Sequence, residues 1–137
     1  MRHRALWLAS IIAALGGCAG VGSEKNEMNE TMYHYAAAVR WGDVEQIIAF
    51  QDPKVLAEDP PEPIELERWR QLRVTGYRAR GLEPQPDQSV VQFAEIEFMN
   101  KHTQTTSALV DREQWRYDED AKRWWLTSGL PDLDRRE

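Results

Sequence analysis

Few residues in this chain of 137 have types and spacing that suggest chemistry. The only cysteine is Cys18, so a disulfide bond within the chain is impossible. Two histidines, His34 and His102, come after the N-terminal segment, and neither has a second ligand at the spacing of H-E-x-x-H or C-x-x-C. The sequence contains no glycine-rich phosphate loop and no G-x-S-x-G motif. We therefore expect no catalytic residue and no metal ligand, and the chemistry to be explained is that of the single thiol.

Cys18 follows a segment with the composition of a secretory signal. Arg2 and Arg4 supply positive charge, an apolar stretch occupies residues 5–15, and two glycines come directly before the cysteine. The apolar stretch is too short to span a bilayer, which requires about 20 apolar residues. Residues 1–17 are therefore predicted to be a signal peptide. The simplest alternative is a signal peptide of the ordinary kind followed by an incidental cysteine.

The residues from Leu15 to Cys18, Leu-Gly-Gly-Cys, resemble the lipobox of bacterial lipoproteins. The resemblance implies cleavage between Gly17 and Cys18, a diacylglyceryl group on the thiol and acylation of the new amino terminus. A thiolate is the nucleophile that thioether formation needs, and several acyl chains at about 0.8 kcal/mol per buried methylene give a stable membrane anchor. Ala19 stands where an aspartate favours the inner membrane in that family, which implies the outer membrane with the domain in the periplasm. Apart from this covalent lipid, no cofactor is expected.

Length and charge restrict the kind of domain that the rest of the chain can form. The length suits one domain, and a composition of 42% hydrophobic and 29% charged residues is that of a globular protein. The net charge of −6 becomes −8 when Arg2 and Arg4 leave with the signal peptide, which argues against nucleic acid as a partner. The predicted segments are a signal peptide at 1–17, a lipidated cysteine and flexible tether at 18–26, one domain at 27–133 and a polar tail at 134–137.

Hydrophobic spacing predicts helices first and strands second. Apolar residues three and four apart predict a helix over about 24–41, ended by Gly42, and Asp43 is predicted to cap a short second helix. The proline-rich segment 58–65 is predicted to be an extended loop. Alternating apolar and polar residues then predict four strands, within residues 72–80, 89–99, 102–117 and 122–128. The expected fold is α+β, with N-terminal helices packed on a curved four-stranded antiparallel sheet.

Residues 35–50, YAAAVRWGDVEQIIAF, resemble the opening helices of the NTF2-like (SnoaL-like) superfamily, whose long first helix ends at a Gly-Asp junction. The order of elements after them also matches the cystatin-like cone of that superfamily. Residues 111–132 resemble the ends of uncharacterised proteobacterial lipoproteins, which share W-x-Y-D and W-W-L-x-S-x-L-P. The likeness covers about residues 27–133, and because its motifs are structural, it implies a fold more firmly than an activity.

NTF2-like enzymes often place a carboxylate or a histidine inside the cone, with tyrosine or tryptophan nearby. The resemblance therefore makes four residues worth considering as a general base, namely Tyr33, His34, Glu95 and Asp111. His34 lies between two tyrosines on a helix, so a surface or packing position is the ordinary alternative to catalysis. We favour that alternative for His34.

Charged residues in the strands are predicted to face solvent. Glu95 and Glu97 share one strand face, and we expect them to pair with arginines of the neighbouring strands. The arginines proposed for this pairing are Arg73, Arg112 and Arg116. The mixed charges of residues 111–123 are likewise predicted to form a solvated strand face.

Tryptophan is abundant after the signal peptide, with five residues in about 120. Trp124 and Trp125 must point to opposite faces of the sheet if their segment is a strand, so one packs against the helices and the other faces outward. An outward tryptophan beside arginines can stack on them or anchor a partner, whereas ordinary core and rim packing is the alternative. The predicted pocket or partner contacts are Tyr33, His34, Trp69, Trp115, Trp124 and Trp125.

These observations favour a non-enzymatic lipoprotein of the outer membrane whose periplasmic domain acts as a binding or scaffolding module for another envelope protein. The alternative is a small-molecule binding protein or enzyme that uses the cone as its pocket. The two hypotheses differ in what fills the cone. Large apolar side chains would leave no room for a reactant, whereas an open cavity holding an ionisable group with a perturbed pKa would support the alternative.

Overall fold

The computed structural model describes residues 19–135 of the chain, with side chains from residue 22 onward. The predicted signal peptide at 1–17, Cys18 and the last two residues of the predicted polar tail lie outside the described residues. Within the described range, four helices precede four strands. They are α1 (Ala19–Trp41), α2 (Val44–Ile48), α3 (Pro53–Glu58), α4 (Pro63–Arg70), β1 (Leu72–Pro84), β2 (Val90–Asn100), β3 (Thr106–Asp118) and β4 (Arg123–Leu126).

The strands form one antiparallel meander in the order β1-β2-β3-β4, as the alternating sequence pattern predicted. Two irregularities in β1, between Val74 and Gly76 and between Arg80 and Leu82, shift its register against β2. Such bulges bend a strand and increase its twist. The helices pack on one face of the resulting curved sheet, and this confirms the predicted α+β fold.

Helix α1 begins earlier than the sequence pattern suggested. Residues 19–26, predicted as a flexible tether, form its first two turns. The indole N–H of Trp124 donates a hydrogen bond to the carbonyl of Glu24 (3.1 Å), and the hydroxyl of Tyr117 donates one to Glu27 Oε2 (3.0 Å). Strands β3 and β4 thus hold the start of the helix against the sheet. Hydrophobic spacing within α1 cannot reveal these contacts, because their partners lie about 100 residues away in the chain.

The junction after α1 follows the predicted capping pattern. The N–H of Gly42 donates to the carbonyl of Ala38 (2.8 Å), and Asp43 Oδ1 accepts the N–H of Gln46 (3.0 Å). This is the side-chain cap expected for α2. A Cβ at position 42 would lie 2.6 Å from the Ala38 carbonyl oxygen, so the close turn between the two helices requires glycine.

Two short helices, α3 and α4, were not predicted. The extended loop expected over 58–65 covers only the residues between these helices, since Pro63 is the first residue of α4. Pro53 likewise begins α3. Proline disrupts a helix in its interior but suits its first turn, where the backbone N–H has no partner in any case. The proline-rich composition therefore marked helix starts as well as a loop.

The core lies between the helices and the concave face of the sheet. Its largest fully buried apolar side chains are Tyr35 and Ile47 from the helices and Ile96, Trp115 and Leu126 from the strands. Trp124 also faces this core, whereas Trp125 lies on the outer face with the guanidinium of Arg123 3.8 Å from its ring centroid. The two adjacent tryptophans therefore point to opposite faces, as predicted.

The segment after β4 folds back onto the domain. Pro131 is fully buried, and Leu130 and Leu133 pack against the core. Arg68 on α4 donates two hydrogen bonds to the carboxylate of Asp134, at 2.7 and 2.9 Å. The predicted polar tail therefore begins with a residue that is held against α4.

An ion pair between Asp52, which precedes α3, and Arg116 of β3 connects the helices to the sheet. The Asp52 carboxylate is nearly fully buried and accepts hydrogen bonds from Arg116 Nε (3.0 Å) and Nη2 (2.5 Å) and from the N–H of Lys54 (2.9 Å). Burial alone would raise the pKa of Asp52, but these hydrogen bonds outweigh it and lower the pKa below the ordinary 3.8. The ionised form is therefore the one that the fold stabilises.

Replacing Asp52 by asparagine should lower the free energy of unfolding by about 2–3 kcal/mol at pH 7, because Arg116 loses its charged partner. A group with a lowered pKa stabilises the fold above its ordinary pKa, and that contribution is lost as the pH falls below about 3.8. The deficit of the variant should therefore shrink at pH 3 in urea unfolding experiments. Asp118→Asn is the matched control, since Asp118 lies farther from Arg116 Nη2, at 3.7 Å. An equal deficit at pH 3 and pH 7 would contradict the ionic role of Asp52.

Candidate functional site

Acidic residues lie among aromatic ones on the concave face of the sheet. Strand β3 alternates, so that Leu109, Asp111, Glu113 and Trp115 all face the helices. Glu113 is 0% exposed and Asp111 is 9% exposed. Carboxyl groups are rarely buried without a charged partner. This pair is therefore the feature of the interior that most resembles a functional site.

Glu113 is held by Tyr77 of β1, whose hydroxyl donates a hydrogen bond to Glu113 Oε1 (2.8 Å). The pKa of Glu113 is raised to about 8, mainly by burial; the Tyr77 hydrogen bond lowers it, and the nearby charge of Asp111 raises it. The indole N–H of Trp115 makes no hydrogen bond by distance and angle, although its proximity also favours the ionised carboxylate. Glu113 therefore carries its proton at neutral pH.

Asp111 lies beneath the C-terminal segment. Burial raises its pKa to about 6, while the backbone N–H of Arg112 and the charge of Arg135 lower it and the charge of Asp132 raises it. The two C-terminal residues influence this carboxyl because the segment after β4 crosses this part of the concave face. Asp111 thus changes charge in a pH range where Glu113 remains protonated.

Two tyrosines complete the polar part of this cluster. Burial, followed by the charges of Glu113 and Asp111, raises the pKa of Tyr35 well above its ordinary value. The pKa of Tyr77 is raised for the same main reason. Within the described residues, Glu113 Oε2, Asp111 Oδ2 and Tyr35 Oη have no hydrogen-bond partner. A bound polar atom would satisfy them, since an unpaired buried polar group costs about 1–3 kcal/mol.

Aromatic rings fill the space around these carboxyl groups. The Tyr35 ring lies 5.0 Å from Trp115, 5.5 Å from Phe50 and 6.5 Å from Tyr77, measured between ring centroids. All three contacts are edge-to-face, the arrangement that aromatic rings prefer in a packed core. The Glu113 carboxyl is therefore enclosed by packed side chains.

A cavity of about 330 Å³ lies at one end of the concave face, next to the turn between β2 and β3. Phe98, Leu109 and Leu133 provide its apolar walls, and Arg68 and Arg135 line it as charged groups. Neither Glu113 nor Asp111 lines this cavity. This cavity is thus separate from the two buried carboxyl groups with raised pKa values.

The residues predicted as site residues occupy three environments. Tyr33 is 73% exposed and His34 is also exposed on the outer side of α1, where His34 Nε2 lies 3.8 Å from Glu30. The indoles of Trp69, Trp115 and Trp124 are buried in the core, whereas Trp125 is on the outer sheet face. Of the four residues considered as a general base, only Asp111 lies in the interior.

Glu95 and Glu97 are on the outer sheet face, as predicted, but their partners differ from the expected arginines. Arg78 pairs with Glu97 and lies 3.6 Å from Glu95, and Arg80 lies 3.2 Å from Glu95. The bulge at Gly76 explains the difference. Gly76 is opposite Glu97 and has no side chain, so the Glu97 carboxylate lies against it, 3.0 Å from where a Cβ would be, and pairs diagonally with Arg78.

Sequence reasoning missed Glu113, Tyr77 and Tyr35. Glu113 lies within the segment predicted to be a solvated strand face, and the structure contradicts that prediction for this residue. The sequence did contain an indication of this position. Glu113 is separated from Leu109 and Trp115 by even numbers of residues, so in a strand it must lie on the same face as they do. The many charged residues next to Glu113 led instead to the prediction of a solvent-exposed strand face.

Within residues 22–135, no group of three or more histidine, cysteine or acidic side chains is placed to hold a metal ion. None of the helices from Ala19 onward is long and apolar enough to cross a membrane. Comparisons with protein-family models, with curated proteins and with solved structures find no match for this chain.

Proposed function

We propose that this chain is an outer-membrane lipoprotein, anchored through lipid on Cys18, whose periplasmic NTF2-like domain is a non-enzymatic binding module for another envelope protein. The observation that carries the proposal is the filling of the concave face by Trp115, Tyr35 and Tyr77. An enzyme of this architecture needs room for a reactant beside its ionisable group. Here the rings enclose Glu113, so binding at the outer surface is the better use of the domain.

The outer side of α1 supplies a suitable surface. Tyr33 and Trp41 are 73% and 83% exposed, far more than aromatic side chains usually are. Beside them, His34, Ala37 and Phe50 line a largely apolar depression of about 410 Å³ between α1 and α2. Exposed aromatic residues next to an apolar depression are typical of protein interfaces.

The anchor brings this surface close to a membrane. Leu15 to Cys18 match a lipobox, and the first helix begins at Ala19, one residue after the proposed lipid. A domain joined so directly to its lipid stays within one domain diameter of the bilayer. The partner we expect is therefore a protein at or in the same membrane.

Photo-crosslinking in cells tests the proposal. A crosslinking amino acid at position 37 should capture one recurrent envelope protein, and Tyr33→Glu should reduce that capture about tenfold or more, because burying an unpaired charge is costly. Ile64→Glu is the matched control, since Ile64 is 64% exposed on a different element, and capture should stay unchanged. Cys18→Ser should leave an unprocessed precursor without lipid by mass spectrometry, and should also lose capture.

Two results would contradict the proposal separately. Normal processing and no lipid mass on the wild-type protein would remove the anchor. Equal capture by the Tyr33→Glu and Ile64→Glu proteins, or no recurrent partner at all, would remove the binding surface.

A second function has one observation in its favour. Glu113 Oε2, Asp111 Oδ2 and Tyr35 Oη are all buried without partners among the described residues, and both carboxyl groups have raised pKa values. Such a cluster suits the recognition of a small polar molecule. Native mass spectrometry of the protein purified from its own cells would reveal a bound small molecule, and its presence together with no protein partner would favour this second function.

A further inference from the structure

A second groove, distinct from the concave face, lies where α1 ends. Its volume is about 470 Å³, and it runs between the last turn of α1, the end of α4 and the start of β1. Its chemistry is unlike that of the rest of this acidic chain. The side chains that define it are Arg40, Trp41, Trp69, Arg70, Arg73 and Lys101.

Three of the four cations in this groove have no carboxylate partner among the described residues. They are Arg40, Arg73 and Lys101, whereas Arg70 is bound by both Glu45 and Glu67 at 2.5 Å. Outside the groove, the cations paired with carboxylates are Arg68, Arg78, Arg80, Arg116 and Lys122. Five further cations among the described residues also lack a carboxylate partner, but none of them lines this groove; they are Lys25, Lys54, Arg112, Arg123 and Arg135. The groove thus brings three unpaired cations together in a chain whose net charge is −6.

The polar groups of the groove are held in position. Arg40 Nη2 donates to the carbonyl of Tyr77 (2.6 Å), and its guanidinium lies over the Tyr77 ring at 5.4 Å. Lys101 Nζ donates to the carbonyl of Arg70 (2.8 Å). One carboxylate, that of Asp43, also lines the groove, where it caps α2. Counted with Glu45 and Glu67, which pair with Arg70, the four cations and three carboxylates leave one net positive charge at the groove.

We propose that this groove binds a ligand carrying a phosphate monoester. Such a group has a charge of about −1.5 to −2 at neutral pH, so the net positive charge of the groove attracts it, and guanidinium groups bind its oxygens with charge-assisted hydrogen bonds. The 83% exposed indole of Trp41 stands at the edge of the groove and offers an apolar face to the group that bears the phosphate.

The position of the groove favours a soluble ligand over a lipid headgroup. Helix α1 has 23 residues and is therefore about 34 Å long, and the groove lies at the end opposite Ala19. With Cys18 anchored as proposed above, the groove lies a full helix length from the anchored residue, so a soluble ligand can reach it without contact with that membrane. Only the choice of a soluble ligand over a lipid headgroup rests on the proposed anchor. The proposal that the groove binds a phosphate monoester does not depend on it.

Calorimetric titration of the full-length protein in a non-ionic detergent tests the groove with three probes: inorganic phosphate, phenyl phosphate and a soluble short-chain phosphatidic acid, whose headgroup is a phosphate monoester. The wild-type protein should bind phenyl phosphate about fivefold more tightly than inorganic phosphate, because the phenyl ring contacts Trp41. Replacing both Arg73 and Lys101 by glutamine should weaken both ligands about tenfold or more. Trp41→Ala should remove only the advantage of phenyl phosphate.

The matched control replaces Lys54 and Arg112 by glutamine, which removes the same charge outside the groove and should change affinity less than twofold. If the short-chain lipid binds more tightly than phenyl phosphate, the ligand is a lipid headgroup. If the lipid binds more weakly than phenyl phosphate, the ligand is a soluble phosphate monoester. An equal loss in the control protein would show nonspecific attraction and overturn the site. Binding of none of the probes would overturn it as well.

Discussion

Between pH 6 and pH 8, the wild-type protein should lose about 2–3 kcal/mol of unfolding free energy, whereas the Glu113→Gln protein should lose much less. The ordinary pKa of a glutamate is 4.5, and that of Glu113 in the folded protein is about 8. Between these values the folded protein holds a proton that the unfolded chain releases. Stability therefore falls as the pH rises through this window and becomes level above about pH 8. Glutamine has no proton to release, so its contribution does not change.

The window from pH 6 to pH 8 separates Glu113 from its neighbour. Asp111 has a raised pKa of about 6, so the decrease in unfolding free energy that its ionisation causes is nearly complete before pH 6. The wild-type and variant curves should also cross. At pH 5 the glutamine amide of the variant places an extra N–H in a buried site and costs about 1–2 kcal/mol, but above pH 8 the variant avoids the buried negative charge.

Urea unfolding followed by circular dichroism at one-unit steps from pH 5 to pH 9 provides the measurement. Glu95→Gln is the matched control, because Glu95 lies on the outer face among Arg78 and Arg80 and should leave the slope unchanged. Parallel curves for the wild-type and Glu113→Gln proteins would mean that Glu113 is already ionised in the fold. In that event the interior would hold a negative charge that none of the described cations pairs with.

The protonation state of Glu113 bears on both proposed functions. A protonated Glu113 is neutral, so the aromatic rings around it can pack as an ordinary core and the domain can serve as a rigid module. The same proton would make Glu113 a hydrogen-bond donor to a polar ligand in the alternative function. The two uses differ in whether the rings ever leave room beside the carboxyl group.

The parts of the fold that depend on local sequence patterns could be predicted from the sequence. Alternation from residue 72 onward identified the meander, and Gly42 with Asp43 identified the turn and cap between α1 and α2. The start of α1 could not be predicted, since its stability comes from Tyr117 and Trp124 at the other end of the chain. Helix α4 was missed because the prolines of residues 58–65 were interpreted as an extended loop, whereas Pro63 is the first residue of the helix.

The candidate site was harder to predict than the fold. Asp111 was considered only because of a family resemblance, and Glu113 was dismissed because charged neighbours surround it in the sequence. Strand parity alone places Glu113 beside Trp115, but a buried carboxyl group is rare enough that composition argues against it. The pairing of Arg78 with Glu97 depends on a bulge at Gly76, and a register shift of that kind leaves little trace in the sequence.

Replacing Trp115 by alanine should lower the free energy of unfolding by about 3–5 kcal/mol, the cost of a large cavity in a packed core. Trp115 is 0% exposed, lies 5.0 Å from Tyr35 and is opposite Leu126 in the sheet. Its side chain is the largest of those fully buried in the core, so the cavity left by alanine should have the size and shape of indole. Trp41→Ala is the matched control, since an 83% exposed side chain should contribute less than about 0.5 kcal/mol.

Added indole should restore part of the lost stability of the Trp115→Ala protein, by about 1.4 kcal/mol at ten times its dissociation constant, and should leave the Trp41→Ala protein unchanged. Thermal unfolding by circular dichroism with and without indole measures both effects. Where Trp115→Ala fails to fold, Trp115→Phe should still fold with a smaller deficit of about 1–2 kcal/mol. Rescue by indole would mean that the concave face contains a preformed cavity, which the Trp115 side chain occupies in the wild type. The presence of that side chain, rather than the shape of the fold, would then distinguish a binding module from a ligand carrier. A deficit below about 1 kcal/mol for Trp115→Ala would mean that the face is not packed around this ring, and the proposed non-enzymatic function would lose the observation that carries it.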